Sequence, residues 1–258
     1  MDGPDFQLND LMIGGGEVTI GADRTAHLRI PAKSSGYANA QLDDHRTLSR
    51  SAFPWLPPVT IRLKAKTSTA SPLGTFGFGF WNDPFSLTFG QAGAARKLPV
   101  PPRAAWFFFG SPPNDMRLSP PNPGWGWKAQ TINSLAVPGW LIAAPALVAY
   151  VASKIPLVRR PVMHAALQLL TCDERVLEVG PGAWHTYEIR WWPDTVTFFV
   201  DDRTVLESSV SPDGPLGFVT WIDNQYAVAS AGGGLRFGVV PTETEQSLEL
   251  RHLRLRRA

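Results

Sequence analysis

Cysteine is almost missing from this chain of 258 residues. Cys172 stands alone, which excludes an intrachain disulfide and any thiolate-rich metal cluster. Set beside Leu169 and Leu170, it reads as a small buried residue rather than a nucleophile. Charge of one sign is also scarce: the formal net charge is only +2, too little for a general nucleic-acid footprint, so no nucleic-acid partner is expected. His27, His45, His164 and His252 share no metal-ligand spacing, and no metal or cofactor motif is present. Gly14-Gly15-Gly16 lacks the Lys-Ser/Thr that a phosphate loop requires and reads as a turn. Met1 to Asp5 shows neither a basic nor an apolar region of a secretory signal. A cytoplasmic location, or the cytoplasmic side of a membrane, is the expectation that follows.

What is present is an apolar chain, 44% hydrophobic, punctuated by 23 glycines and 24 prolines. That composition suits many short strands joined by turns, and residues 1–258 are expected to form one all-β domain with insertions. Alternating runs predict strands over 18–20, 27–30, 38–42, 59–65, 175–179, 204–207, 215–226 and 248–255. Arg251, Arg254, Arg256 and Arg257 alternate with Leu250, Leu253 and Leu255, which reads as the solvated face of the last strand. Two further strands are aromatic. Gly74 to Trp81 interleaves glycine with phenylalanine, so that one face is filled by rings while the other admits a close neighbour. Ala104 to Gly110 is apolar on both faces, and Gly124 to Ile132 follows after a Pro-rich turn.

The clearest stretch runs from Trp184 to Asp202. Tyr187, Ile189 and Trp191 fall on one face, Pro193-Asp194 turns the chain, and Val196, Phe198 and Val200 fall on one face of the return strand. This hairpin resembles the W-H-x-Y-x-(I/V)-x-W signature of concanavalin A-like sandwiches, above all family-16 glycoside hydrolases. The resemblance runs from Trp184 to the C-terminus and, more loosely, over Gly74 to Trp81. It implies an antiparallel jelly-roll β-sandwich.

The resemblance also implies a retaining pair of carboxylates from a Glu-x-Asp-x-Glu motif on a central strand. The strand in the corresponding order, Ala104 to Gly110, carries Trp106, Phe107, Phe108 and Phe109 and has no acid. No catalytic residue is therefore carried over. A cleft floored by Trp81, Trp106, Phe108, Trp127 and Trp221 predicts a hydrophobic or lipid-like small molecule as ligand. Asn82-Asp83, Asn114-Asp115 and Asp223-Asn224-Gln225-Tyr226 end three strands and are expected to share one polar rim. As an alternative, the protein is a diverged enzyme of the family-16 type, or a cyclase- or isomerase-like catalyst that uses rim Asp residues. A carbohydrate-binding module without chemistry is a third reading.

Residues 135–170 read as an inserted helical hairpin, nearly uncharged to Ala152, with Pro161 to Leu170 as its second limb. Residues 135–160 are a candidate peripheral membrane contact or lid; a homo-oligomer interface is the other expected use of so apolar a segment.

Overall fold

The computed structural model describes residues 7–22, 25–84, 100–119, 121–135, 160–161, 169–230 and 234–257. Sixteen strands account for most of them. In chain order they are β1 (Asn9–Ile13), β2 (Glu17–Ile20), β3 (Ala26–Ile30), β4 (Asn39–Asp43), β5 (Val59–Thr67), β6 (Thr75–Trp81), β7 (Ala104–Gly110) and β8 (Gly126–Ser134). Then come β9 (Leu170–Val176), β10 (His185–Trp191), β11 (Val196–Val200), β12 (Arg203–Ser208), β13 (Gly217–Asp223), β14 (Gln225–Ser230), β15 (Gly234–Val239) and β16 (Gln246–Arg257).

Two seven-stranded antiparallel sheets form a sandwich. Sheet A has the order β1-β4-β13-β6-β7-β8-β9, sheet B the order β12-β11-β10-β5-β16-β3-β2, and β14-β15 is a separate hairpin. The expected β10-β11 hairpin closes in the register that its alternation dictates, with Tyr187 opposite Val200, Ile189 opposite Phe198 and Trp191 opposite Val196. All six are buried.

The glycine-phenylalanine alternation of β6 aims Phe76, Phe78 and Phe80 at the interior, where they meet sheet B. Phe78 packs 5.1 Å from Tyr187 and Phe80 5.4 Å from Trp191, centroid to centroid, while Phe107 of β7 meets Phe198 edge-on at 5.3 Å. Fully burying such a ring contributes about 1.5–3 kcal/mol, so this aromatic seam is a main source of inter-sheet cohesion. β16 carries a bulge: His252 is the extra residue, at φ 55°, between the pairs Arg251–Lys64 and Arg254–Arg62. The inserted residue returns Leu253 to the core and Arg254 to the outside.

Four expectations need correction. The strand placed at 175–179 starts earlier, at Leu170, and ends at Val176. β1 and the β14-β15 hairpin were not expected, and the run 215–226 divides at Asn224 between two strands of different sheets. The helical hairpin expected at 135–170 lies outside the described residues except at 135, 160–161 and 169–170, and Leu170, assigned to its second limb, opens β9 instead. The two ends of this stretch are neighbours, because Ser134 pairs with Leu170. No helix among the described residues is long and apolar enough to cross a membrane.

Candidate functional site

Side chains alternate across a strand, so the residues of β6, β7 and β13 that do not enter the core stand on the outer face of sheet A. There Trp106, Phe108, Val219 and Trp221 form a second apolar cluster, with Trp81, Met116, Leu118 and Cys172 packed against it. The rings touch one another. Trp106 lies 5.5 Å from both Phe108 and Trp221, and Trp81 stacks on Trp221 at 6.5 Å with 13° between the planes. Gly77 and Gly79 of β6 make this possible: a Cβ on Gly77 would come within 2.7 Å of the Trp221 ring, and one on Gly79 within 2.6 Å of Trp106. The Gly face of β6 thus receives indoles from both neighbouring strands. Trp106, Phe108 and Trp221 keep 7–9% exposure, and Trp81 is the most open of the four.

Each indole N–H is tied to a different polar group. Trp81 donates to Nε2 of His45 at 2.9 Å, Trp106 to Oε1 of Gln130 at 2.8 Å, and Trp221 to Oγ1 of Thr75 at 2.9 Å. Behind Gln130 lies a buried ion pair. Glu174 accepts from Lys128 Nζ at 3.0 Å and from Gln130 Nε2 at 2.6 Å, and Lys128 also donates to the carbonyl of Pro123. Behind Thr75 lies Asp223, whose Oδ1 accepts from the Thr75 hydroxyl at 2.7 Å and whose Oδ2 accepts from Tyr37 at 3.1 Å. Burial pushes the Asp223 carboxyl up to about 6, against the hydrogen bonds from Thr75, Gln225 and Tyr37 that favour its ionised form. Burial and the adjacent Asp223 push the Tyr37 phenol up as well. Burial likewise raises the Cys172 thiol, which leaves it a poor nucleophile.

Of the expected site residues, Trp81, Trp106, Phe108 and Trp221 come together as anticipated. Trp127 does not. It points into the core, 4.8 Å from Phe76, with its N–H 3.3 Å from the Tyr187 hydroxyl. The expected common rim also divides. Thr75, at the start of β6, is opposite both Asp223 and Gly110, while Trp81, at its end, is opposite Gly217 and Ala104. Asn114, Asp115, Asp223, Asn224, Gln225 and Tyr226 therefore gather at one end of sheet A, and Asn82 and Asp83 at the other, about 20 Å away along a seven-residue strand.

Most of these polar residues hold backbone. Asn82 bonds Arg103 N and Pro101 O; the Asp83 carbonyl accepts from Arg50. Asn114 accepts from Ala227 N, Asp115 pairs through its backbone with Ala227 and Ala229, and the Asp115 carboxylate lies 3.7 Å from Arg117 Nε. Asn224 spans Ala38, Gly36 and Val240. Tyr226 covers Gly238 across the β14-β15 hairpin rather than the aromatic floor. Only Asp223 joins the site through its side chain.

His45, Tyr37, Thr75, Lys128, Gln130 and Glu174 escaped sequence reading. One signal was available: a lysine in a strand buried on both faces demands an acid on its neighbour. Three buried carboxylates of this sheet, those of Asp223, Glu174 and Asp43, stand far apart. Asp223 on β13 and Glu174 on β9 are four strand spacings apart, about 19 Å, and Asp43 on β4 is four residues along from the position opposite Asp223, about 13 Å. Retaining hydrolysis needs about 5–5.5 Å, and inversion at most about 9.5 Å.

No protein-family model matches this sequence, and no curated protein does. Among solved structures, the chain is similar to a β-glucanase of Bacillus licheniformis, at 11% identity over 100% of this chain and 95% of that one, TM-score 0.49. It is similar to LamAcat from Zobellia galactanivorans at 15% identity over 92% and 78%, TM-score 0.48. Similarity to a sialidase, at 6% identity and TM-score 0.44, covers 97% of this chain but 17% of that much longer one. The two seven-stranded antiparallel sheets agree with the sandwich that the sequence resemblance implies. At such identities, with TM-scores below 0.5, the likeness to these solved structures carries nothing about family or activity.

Proposed function

We propose that the outer face of sheet A binds a carbohydrate ring on its tethered indoles, and that the chain is a diverged glycan-binding relative of the family-16 sandwiches without their paired-carboxylate hydrolysis. The observation that carries this reading is that Trp81, Trp106 and Trp221 are each fixed by a hydrogen bond to a polar residue bordering the floor. An indole face packs on the C–H face of a sugar, and these hydrogen bonds hold the indole planes in place for it. A lipid-like occupant, expected from the aromatic strand alone, is the rival for the same floor. The test is a titration of tryptophan fluorescence with β-glucan oligosaccharides and, separately, a long-chain fatty acid. Saccharide-induced quenching, weakened at least about tenfold by Trp81→Ala, supports the proposal; a response to the fatty acid alone overturns it.

A second reading, a catalyst with Asp223 as its acid, is favoured by one observation: this carboxyl is wholly buried and raised to about 6 beside the indole-bound Thr75. Its test is release of product from glycan substrates. Loss of that activity in Asp223→Asn, with wild-type activity that falls as pH rises through about 6, supports it, and an inactive wild type rules it out.

A further inference from the structure

The outer face of sheet B, on the opposite side of the molecule, is strongly basic along β5 and β16. Lys64 lies directly opposite Arg251, and Arg62 directly opposite Arg254, with Arg256 two residues on. Side chains opposite each other in an antiparallel pair are about 5 Å apart at Cβ, where like charges are destabilising. The bulge at His252 brings about the second of these juxtapositions, for in a strand that kept all these residues unbulged Arg254 would turn toward the core.

Several other charges of this face are paired. Arg62 pairs with Glu188 and Asp202, Arg190 with Glu188, Lys66 with Glu249, and Arg29 with Glu17 and Glu245. Arg251, Arg254 and Arg256 are exposed, and among the described residues they form no ion pair; Lys64, also exposed, forms none within 4.0 Å, though its charge helps to hold the Asp201 carboxyl below its ordinary value. Arg251 lies 4.4 Å over the Trp184 ring, and Lys66 5.2 Å from it; Arg190 covers Phe199 in the same way at 4.4 Å.

We infer that this line of unmatched cations is a docking surface for an acidic polysaccharide, a linear chain of carboxylated or sulfated sugars. Charge complementarity requires an anion. The arrangement then selects its form: the free cations make a narrow line along two strands, with Glu188 and Asp202 to one side, Glu17 and Glu245 to the other, and Glu249 of β16 at its end paired with Lys66. A bilayer or a nucleic-acid duplex broad enough to cover the sheet would press its own negative charge on those flanking acids. A single polyanionic strand avoids them. Single-stranded nucleic acid binds by stacking bases on open rings, and here Trp184 and Phe199 are already covered by cations. Arginine predominates in the line, as suits bidentate contact with carboxylate or sulfate.

The experiment measures binding of polygalacturonate and of heparin to the full chain across a salt series, with neutral dextran, an oligo-dT strand and phosphatidylserine vesicles in parallel. The expected result is salt-sensitive binding of the acidic polysaccharides. Arg254→Gln combined with Arg256→Gln should weaken it roughly 25-fold, at about fivefold per arginine, and Arg175→Gln, on sheet A, should leave it unchanged. Both substituted arginines are exposed, and an unaltered unfolding midpoint confirms that the variant is folded. Absence of polysaccharide binding, equal binding by the double variant, or tighter binding of the oligonucleotide or the vesicles overturns the inference.

Discussion

Gly77 of β6 and Trp221 of β13 are paired across the strands, and the indole occupies the space that a side chain at 77 would need. The aromatic floor therefore exists only because β6 is smooth on that face. Gly77→Ala is expected to destabilise by about 1–3 kcal/mol through overpacking. Gly79→Ala is expected to cost more, since φ at Gly79 is 151°, a conformation side chains rarely adopt. Urea unfolding monitored by circular dichroism measures both, and loss of the Trp81–Trp221 stack should shift the tryptophan emission in parallel.

The ion pair of Lys128 and Glu174 is buried, so removing one partner leaves an uncompensated charge. Lys128→Met is expected to destabilise by about 3–5 kcal/mol. Adding Glu174→Gln should restore much of this, because the amide can still bond Gln130 without needing a counter-ion. A double-mutant cycle on unfolding free energies checks the coupling.

Asp223 sets a pH dependence of definite sign. Its folded value, about 6, is above the ordinary 3.8, so its contribution is fully present below about pH 4 and is lost as pH rises through 6. A shift of that size corresponds to about 3 kcal/mol. Asp223→Asn removes the titration while its amide can still pair with Tyr37 and Thr75. The stability of the variant minus that of the wild type should therefore rise between pH 4 and pH 7 by up to that amount. A flat difference would mean that Asp223 is ionised throughout.

His252 holds a left-handed conformation at the bulge, with φ 55°. His252→Gly is expected to gain about 0.5–1 kcal/mol by relieving it, while deletion of His252 should regularise the strand and leave Leu253 inward and Arg254 outward. Thermal unfolding of the two variants separates strain from the bulge.

The sandwich was legible wherever alternation ran unbroken. Tyr187, Ile189 and Trp191 against Val196, Phe198 and Val200 left one register open, and the phenylalanines of β6 left one inward face. The site was half legible, since rings announce themselves in a sequence while their anchors do not. Gln130 and Glu174 meet through pairing of β8 with β9, strands separated by a long connection, and His45 reaches Trp81 from the end of β4. Trp127 was misplaced because Gly126, at φ 102°, breaks the phase of the strand just before it. The supposed rim failed for a topological reason: three Asn-Asp pairs end three strands, but antiparallel neighbours end on opposite sides.

The pairing of Ser134 with Leu170 bears on the whole stretch between them. The chain leaves β8 and enters β9 at one point on the edge of sheet A. The closure cost of a connection between two such points grows only with the logarithm of its length. The sandwich can therefore accept a longer, shorter or wholly different piece at that doorway, which frees this part of the gene to change its role while the two sheets behind it stay as they are.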